Sequence, residues 1–345
     1  MSLRKIVGVD GVEHPVDEAG QEKLKQAGAE WIQSHCETEE ATIEAAKDAD
    51  GVLFSDAPMN ATVLKSLKKC KFAIRYGIGM DNIDAKAATE CGIVVANVRD
   101  AFTEEVANHG LSLLMALARK LNIFDKLVKE SDWTDPETRQ HWGGSVVGPL
   151  PLHDQTAAVL GFGRIGKSLA KKLLALKLNV LIFDPYVKPE DVEKEGCVPA
   201  TIDTIVKNSD YICCCCPLTD ETRGILGEKE LQIMKDTSYL VNVARGGVVD
   251  EKALIKALDN GWIKGAGLDV FESEPILNDN PLRKMDNVIL TPHAGSYSVS
   301  SYKSLRDTVV EQAVQILNGE WPKYLYNTDI QDKLDIKNLW SDNSK

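Results

Sequence analysis

Three segments in the second half of the chain each carry one side chain suited to acid–base or anion chemistry. Arg245 stands in VNVARGGVVDE, just past an apolar run and before two glycines; Glu274 stands in GLDVFESEP, before Pro275; His293 stands in VILTPHAGS, after Pro292. An arginine holds a carboxylate in bidentate fashion through its fixed fork of donors. A histidine gives or takes a proton near neutral pH, and a carboxylate beside it orients the ring and favours the imidazolium. With a hydride source, these parts suffice to interconvert a 2-oxo and a 2-hydroxy acid. Singly, each has an ordinary structural use: the arginine in a surface ion pair, the histidine as a hydrogen-bonded structural residue, and Glu274, near Glu272, in a solvated acidic loop.

The hydride source is suggested further upstream. Gly161, Gly163 and Gly166 spell GFGRIG between the apolar run 157–160 and a helical pattern made by Ile165, Leu169, Leu173 and Leu176. In such a turn the first glycine makes the bend, the second lets backbone approach a pyrophosphate, and the third lets helix and strand pack closely. The helix amino terminus then offers unpaired N–H groups to the phosphates. Asp184 closes the next apolar run, 18 residues after Gly166, where an acid accepts both ribose hydroxyls of an adenosine. Pro185 and Tyr186 follow it, with no arginine for a 2′-phosphate, so NAD is favoured over NADP.

These residues need elements to place them. From 157 to 290, unbroken apolar runs alternate with amphipathic helical stretches, the pattern of a parallel sheet covered on both faces. Ligands bind such sheets beyond the carboxyl ends of the strands, where the Arg245, Glu274 and His293 segments converge. The first hundred residues repeat the style, with strands expected at 6–9, 51–54, 72–74 and 93–96 and helices near 19–27, 39–46 and 61–67. A long helical pattern from about 101 to 129 joins the two α/β units, and the polar stretch after Tyr326 reads as a loosely held tail.

Composition narrows the remaining classes. A chain of 345 residues is long enough for two domains. Its 40 basic and 52 acidic residues, net charge −12, argue against nucleic acid as a partner. The richest apolar stretch, 106–118, is interrupted by Asn108, His109 and Ser112, so no membrane span is expected. The opening MSLRKIVGVDG lacks the apolar stretch of a secretory signal, and eight cysteines are too sparse for a disulfide scaffold, which together suggest a reduced, cytoplasmic protein. Cys213 to Cys216 lie on an expected buried strand, where alternate side chains face opposite ways, so they read as core filling rather than as ligands of one metal. No metal-ligand spacing appears and no metal is expected. His109 reads as a packed or capped histidine, and His141 and Trp142 fall in an expected loop, 133–153, with no role assigned.

The ordered motifs RYGIGMDNID (75–84), GFGRIG (161–166), CPLTDETRG (216–224), NVARGGVVDE (242–251), GLDVFESEP (267–275) and TPHAG (291–295) resemble the NAD-dependent D-2-hydroxyacid dehydrogenase family over roughly residues 5–325. That resemblance implies a Rossmann doubly wound nucleotide domain, 103–295, inserted into a flavodoxin-like substrate domain, 1–102 and 296–330. A polar tail follows at 331–345, and a cleft between the domains closes on a small 2-oxo or 2-hydroxy acid. It also implies catalytic roles for Arg245, Glu274 and His293. Cofactor contacts would fall on Gly161, Gly163, Arg164, Ile165, Gly166, Asp184, Pro217, Thr222, Val243, Ala244, Asp269 and Ile78. The Gly77-Ile78-Gly79 loop would cradle the substrate carboxylate together with Arg245, and the helical region after Ala101 would form a two-fold homodimer. By its position before that loop, Arg75 reads equally as a second cation for the carboxylate or as a salt bridge to a domain neighbour. VDEKAL, ESEP and Tyr297-Ser298 are most similar to the C-terminal binding protein branch and its bacterial relatives. An NADH-sensing scaffold or corepressor is therefore the alternative reading. Ser296 stands where the animal members of that branch place a tryptophan, so neither their substrate preference nor their corepressor role carries over.

Overall fold

The computed structural model describes residues 3–10, 16–132, 134–137 and 151–341. The chain divides into two compact units, residues 1–102 with 298–345, and residues 103–297. The expected loop at 133–153, with His141 and Trp142, lies largely outside the described residues.

In the first unit β1 (Arg4–Gly8), β2 (Ala29–Gln33), β3 (Gly51–Phe54), β4 (Phe72–Arg75) and β5 (Val94–Ala96) form a sheet in the order β2-β1-β3-β4-β5. All of its pairings are parallel, and this is the flavodoxin-like order. Strands β3, β4 and β5 are buried throughout, as their unbroken apolar runs require. Strand β2, AEWIQ, went unforeseen because it is an edge strand with one buried residue and no apolar run. Asp17, Thr38, Asn60 and Asp84 cap the helices that follow them, each side chain accepting a first-turn N–H. The long helix Val299–Leu317 returns the chain to this unit and packs on β4 and on the helix Glu18–Gln26.

The end of the chain corrects the expectation of a loose tail. Short helical turns at Thr328–Asp332 and Ile336–Asn338 bury Ile330, Ile336 and Leu339. Trp340 donates its ring N–H to the Ile316 carbonyl at 2.9 Å, and the Arg4 guanidinium lies 4.4 Å over its ring. A few apolar residues spaced among charges leave no run in the sequence, yet tight turns bring them to one side.

In the second unit β6 (Thr156–Leu160), β7 (Asn179–Phe183), β8 (Val198–Pro199), β9 (Tyr211–Cys214), β10 (Tyr239–Asn242), β11 (Gly265–Leu268) and β12 (Val288–Leu290) run in the order β12-β11-β10-β9-β6-β7-β8. The order reverses between β6 and β9, which makes the sheet doubly wound and sets its ligand crevice at that point. One face packs Leu113, Leu114, Leu169 and Leu173 against Val159 and Val241. The other packs Ile205, Leu231 and Leu254 against Leu160 and Leu240. Cys213 belongs to the first face, Cys214 and Cys216 to the second; burial pushes the Cys213 thiol up to about 12 and that of Cys216 to about 11. They are filling. The expected long helix is two, Thr103–Ala118 and Leu121–Glu130. Lys120 pivots between them at φ 53°, and Asn122 and Lys126 tie the second helix to Asp286. No glycine or proline marks that break. Among the described residues no helix is long and apolar enough to cross a membrane.

Candidate active site

The glycine turn leaves β6 and opens the helix Arg164–Ala175. Gly161 takes φ 93°, and a β-carbon there would lie 2.7 Å from the Cys216 backbone; at Gly166 it would lie 2.0 Å from the Gly161 carbonyl oxygen. Those two glycines are required by close packing. Gly163 differs, since a β-carbon there would meet nothing within 4 Å. No side chain caps this helix, so its first-turn N–H groups are available to an anion. Arg164 is exposed and Ile165 half-buried at its start.

Asp184 stands at the end of β7 beside the turn. One carboxylate oxygen accepts the Phe162 N–H at 2.7 Å, the other the Tyr186 N–H at 2.9 Å. The carboxylate is fixed in direction, and each oxygen keeps acceptor capacity for a hydroxyl. Thr222 donates to the Pro217 carbonyl at 2.6 Å and so closes the loop after β9. Val243 and Ala244 follow β10 and are buried.

Arg245 owes its place to two neighbours. Buried Asn242 donates to the Arg245 carbonyl at 3.0 Å and accepts the Ala244 N–H at 3.1 Å. A β-carbon at Gly246 would fall 1.9 Å from Phe271 backbone, so only glycine lets the loop lie there. The guanidinium of half-buried Arg245 donates to the Ala244 carbonyl at 2.8 Å.

His293 Nδ1 lies 2.7 Å from Glu274 Oε2, and Glu274 Oε1 accepts the Phe271 N–H at 2.9 Å. An ionised carboxylate only accepts, so Nδ1 carries the donated proton and Nε2 remains for other chemistry. Burial pushes the Glu274 carboxyl up, but the bonds from His293 and Phe271 and the charges of His293 and Arg245 outweigh it and hold the group below the ordinary carboxylate range. Arg245, Glu274 and His293 are thus brought together electrostatically, and the last two directly.

His293 itself has φ 54°. Its N–H donates to the Asp269 carbonyl at 2.8 Å. The Asp269 side chain accepts Thr291 Oγ1 at 2.6 Å, Ala294 N at 2.8 Å and Gly295 N at 2.8 Å. Asp269 is 2% exposed. The sequence assigned it to the cofactor by resemblance; the contacts of its carboxylate in the structure are to the 291–295 loop and to His109. Asn242 and His109 were missed as site-forming residues. Their one signal is position, an asparagine ending a strand before the arginine and a histidine on the face of a helix next to the sheet.

In the first unit, loops at the carboxyl ends of β1, β3 and β4 meet. Asp10 accepts the N–H groups of Ser55, Asp56 and Ala57. The carbonyl of Gly77 accepts from Val98 N at 3.0 Å, that of Ile78 from Asn97 Nδ2 at 2.8 Å, and that of Gly79 from the Arg75 guanidinium. A trans peptide points its C=O and N–H opposite ways, so drawing in the Gly77 and Ile78 carbonyls turns the Ile78 and Gly79 amides outward. The Arg75 side chain is only 10% exposed and also donates to the Ser55 carbonyl at 2.8 Å. Arg75 thus braces the glycine loop and also lies 3.7 Å from Asp56 and 4.0 Å from Asp81.

A family model described as D-isomer specific 2-hydroxyacid dehydrogenase, NAD binding domain, matches residues 111–295. The chain is 38% identical over 303 residues to a glyoxylate reductase of Korarchaeum cryptofilum, covering 87% of this chain and 89% of that one. It is 37% identical over 309 residues to a D-3-phosphoglycerate dehydrogenase of Archaeoglobus fulgidus, covering 89% of this chain and 57% of that one. The crystal structure of D-lactate dehydrogenase from Aquifex aeolicus, complexed with NAD and lactic acid, superposes with a TM-score of 0.81 at 28% identity, over 92% of this chain and 96% of that one. The chain belongs to the D-isomer specific 2-hydroxyacid dehydrogenase family, NAD-binding oxidoreductases that act on 2-oxo or 2-hydroxy acids.

Proposed function

We propose that the protein reduces small, unphosphorylated 2-oxo acids with NADH, His293 serving as proton donor, Glu274 as its partner and Arg245 as the carboxylate anchor. The observation that carries this reading is the 2.7 Å bond from His293 Nδ1 to Glu274, next to an arginine that lowers the same carboxyl. NAD fits the residues present: the open position over Gly163, the uncapped helix start and the fixed carboxylate of Asp184 suit a pyrophosphate and a ribose. Arg164, Ile165, Pro217, Thr222, Val243 and Ala244 would complete its site. When bound, the nicotinamide exchanges a hydride with C2 of the substrate. With Nδ1 on Glu274, His293 delivers its proton from Nε2 to the carbonyl oxygen, and the ionised Glu274 stabilises the imidazolium. Neutral His293 takes the hydroxyl proton in the reverse direction. Arg245 binds the carboxylate, an attraction that grows as water is excluded.

At the carboxyl ends of the first unit's strands the exposed Asp56 carboxylate lies 3.7 Å from the buried Arg75 guanidinium, so the cation there is already paired and what that edge exposes is a carboxylate, where a phosphate would want a cation. A cytoplasmic setting suits eight cysteines that are all unpaired with one another. A two-fold dimer suits Leu121 and Val128, exposed on the helix Leu121–Glu130.

The test is NADH oxidation against glyoxylate, hydroxypyruvate, pyruvate, 3-phosphohydroxypyruvate and larger keto acids. Turnover above about 1 per second on glyoxylate or hydroxypyruvate is expected, with kcat/KM for the phosphorylated compound at least about tenfold lower. A preference for 3-phosphohydroxypyruvate would overturn the substrate class. Tight NADH binding with traces of turnover on every acid would overturn the enzyme reading in favour of the sensor.

A further inference from the structure

A short polar bridge joins the helix Thr103–Ala118 to the loop that carries His293. His109 Nε2 lies 2.9 Å from Thr291 Oγ1 and 3.3 Å from Asp269 Oδ1, while Thr291 Oγ1 lies 2.6 Å from Asp269 Oδ1. The protons follow by elimination. A carboxylate only accepts, so the single hydroxyl proton of Thr291 goes to Asp269, and Thr291 must accept from His109. Nε2 of His109 is therefore a donor.

Asp269 is where the bridge meets the site. Its carbonyl holds His293 N and its carboxylate holds the amides of Ala294 and Gly295. That grip matters because His293 sits at φ 54°, a conformation a residue with a β-carbon keeps only when its surroundings enforce it. Burial pushes the Asp269 carboxyl up, and its donors outweigh burial and bring it below the ordinary range. Two of those donors, His109 and Thr291, form the bridge.

We propose that His109 is a positioning residue for the proton donor: by donating into the Thr291–Asp269 pair it keeps that carboxylate ionised and the 291–295 loop in the shape that presents His293. The inference rests on His293 being the acid–base group. On the elements that meet at the bridge, Glu105 stands one turn before His109 on its helix, Asp269 follows β11 and contacts His109, and His293, bonded to Glu274, follows Thr291.

The experiment compares wild type, His109→Ala and His109→Gln on the best 2-oxo acid, across pH and with NADH binding measured by fluorescence. His109→Ala should lower kcat/KM about tenfold or more near neutral pH, the loss falling on kcat, with the Kd for NADH within about twofold of wild type. Its acid limb should move to higher pH, because Asp269 has lost a donor and protonates more easily. His109→Gln, which still offers an N–H, should recover most of the loss. Thr291→Val, of the same shape, replaces His109→Ala where that variant does not fold, with the same expected loss. An unaltered His109→Ala overturns the proposal. So does a loss that leaves the pH profile in place and is not rescued by glutamine, the mark of a packing role. A wild type that turns over no 2-oxo acid overturns the functional reading and this one with it; wild-type turnover with an indifferent His109 overturns this one alone.

Discussion

Glu274 and His293 divide one task between a charge and a proton. The carboxyl is held ionised by the ring it steadies, by the Phe271 amide and by the Arg245 charge, against its burial. Glu274→Gln keeps the hydrogen bond and removes the charge that favours the imidazolium. In 2-oxo acid reduction the histidine gives up a proton beside that carboxylate, so losing the charge should lower kcat/KM about tenfold or more. NADH binding should survive. Steady-state kinetics of the variant check this, and an unchanged kcat/KM would remove the electrostatic role of Glu274. At this scale the sequence was legible where a residue type sits in an ordered motif at a strand end, as Arg245, Glu274 and His293 do. It was not legible where a role comes from distant bonds. Arg75 before the glycine loop reads from the sequence equally as a second cation or a salt bridge, and its bond to the Ser55 carbonyl, 20 residues away, leaves no mark there.

The elements owe their placement to packing that tolerates little extra volume. A β-carbon at Gly166 would sit 2.0 Å from the Gly161 carbonyl oxygen, so Gly166→Ala must push the helix Arg164–Ala175 off β6. Overpacking of this kind costs about 1–3 kcal/mol, and the shift also misplaces the N–H groups at the helix start. Calorimetry should find a lower melting temperature and titration a weaker affinity for NADH; loss of neither would show that turn and helix can relax apart. Buried parallel strands were legible because they are unbroken apolar runs. The edge strands β2 and β8 were not, since each buries too little to leave a pattern. The division of the 101–129 helix at Lys120 also escaped notice, because its cause is a tie from Asn122 and Lys126 to Asp286, far along the chain.

Across the whole molecule, the first unit is built from both ends of the chain. Trp340 fastens one end to the other, through its bond to the Ile316 carbonyl and the Arg4 guanidinium over its ring. Trp340→Ala should therefore destabilise the first unit by about 1–3 kcal/mol, from lost burial and the cation–π contact. NADH binding by the second unit should be unchanged at temperatures where both units are folded. Thermal unfolding with and without NADH measures both, and an unaltered first transition would return the segment to the status of a loose tail.

Asn327 makes that dependence on both ends specific. Its side chain accepts from Val95 N and donates to Thr89 and to the Ile93 carbonyl, while Gln312 donates to the Asn97 carbonyl and accepts from Tyr324 N. On a translating ribosome β5 waits for partners that emerge more than two hundred residues later. The second unit, contiguous in sequence, has all its strands before then. The order of completion therefore runs against the order of the sequence: the nucleotide unit can be complete while the first unit is still open, until residues 312–327 close on residues 89–97.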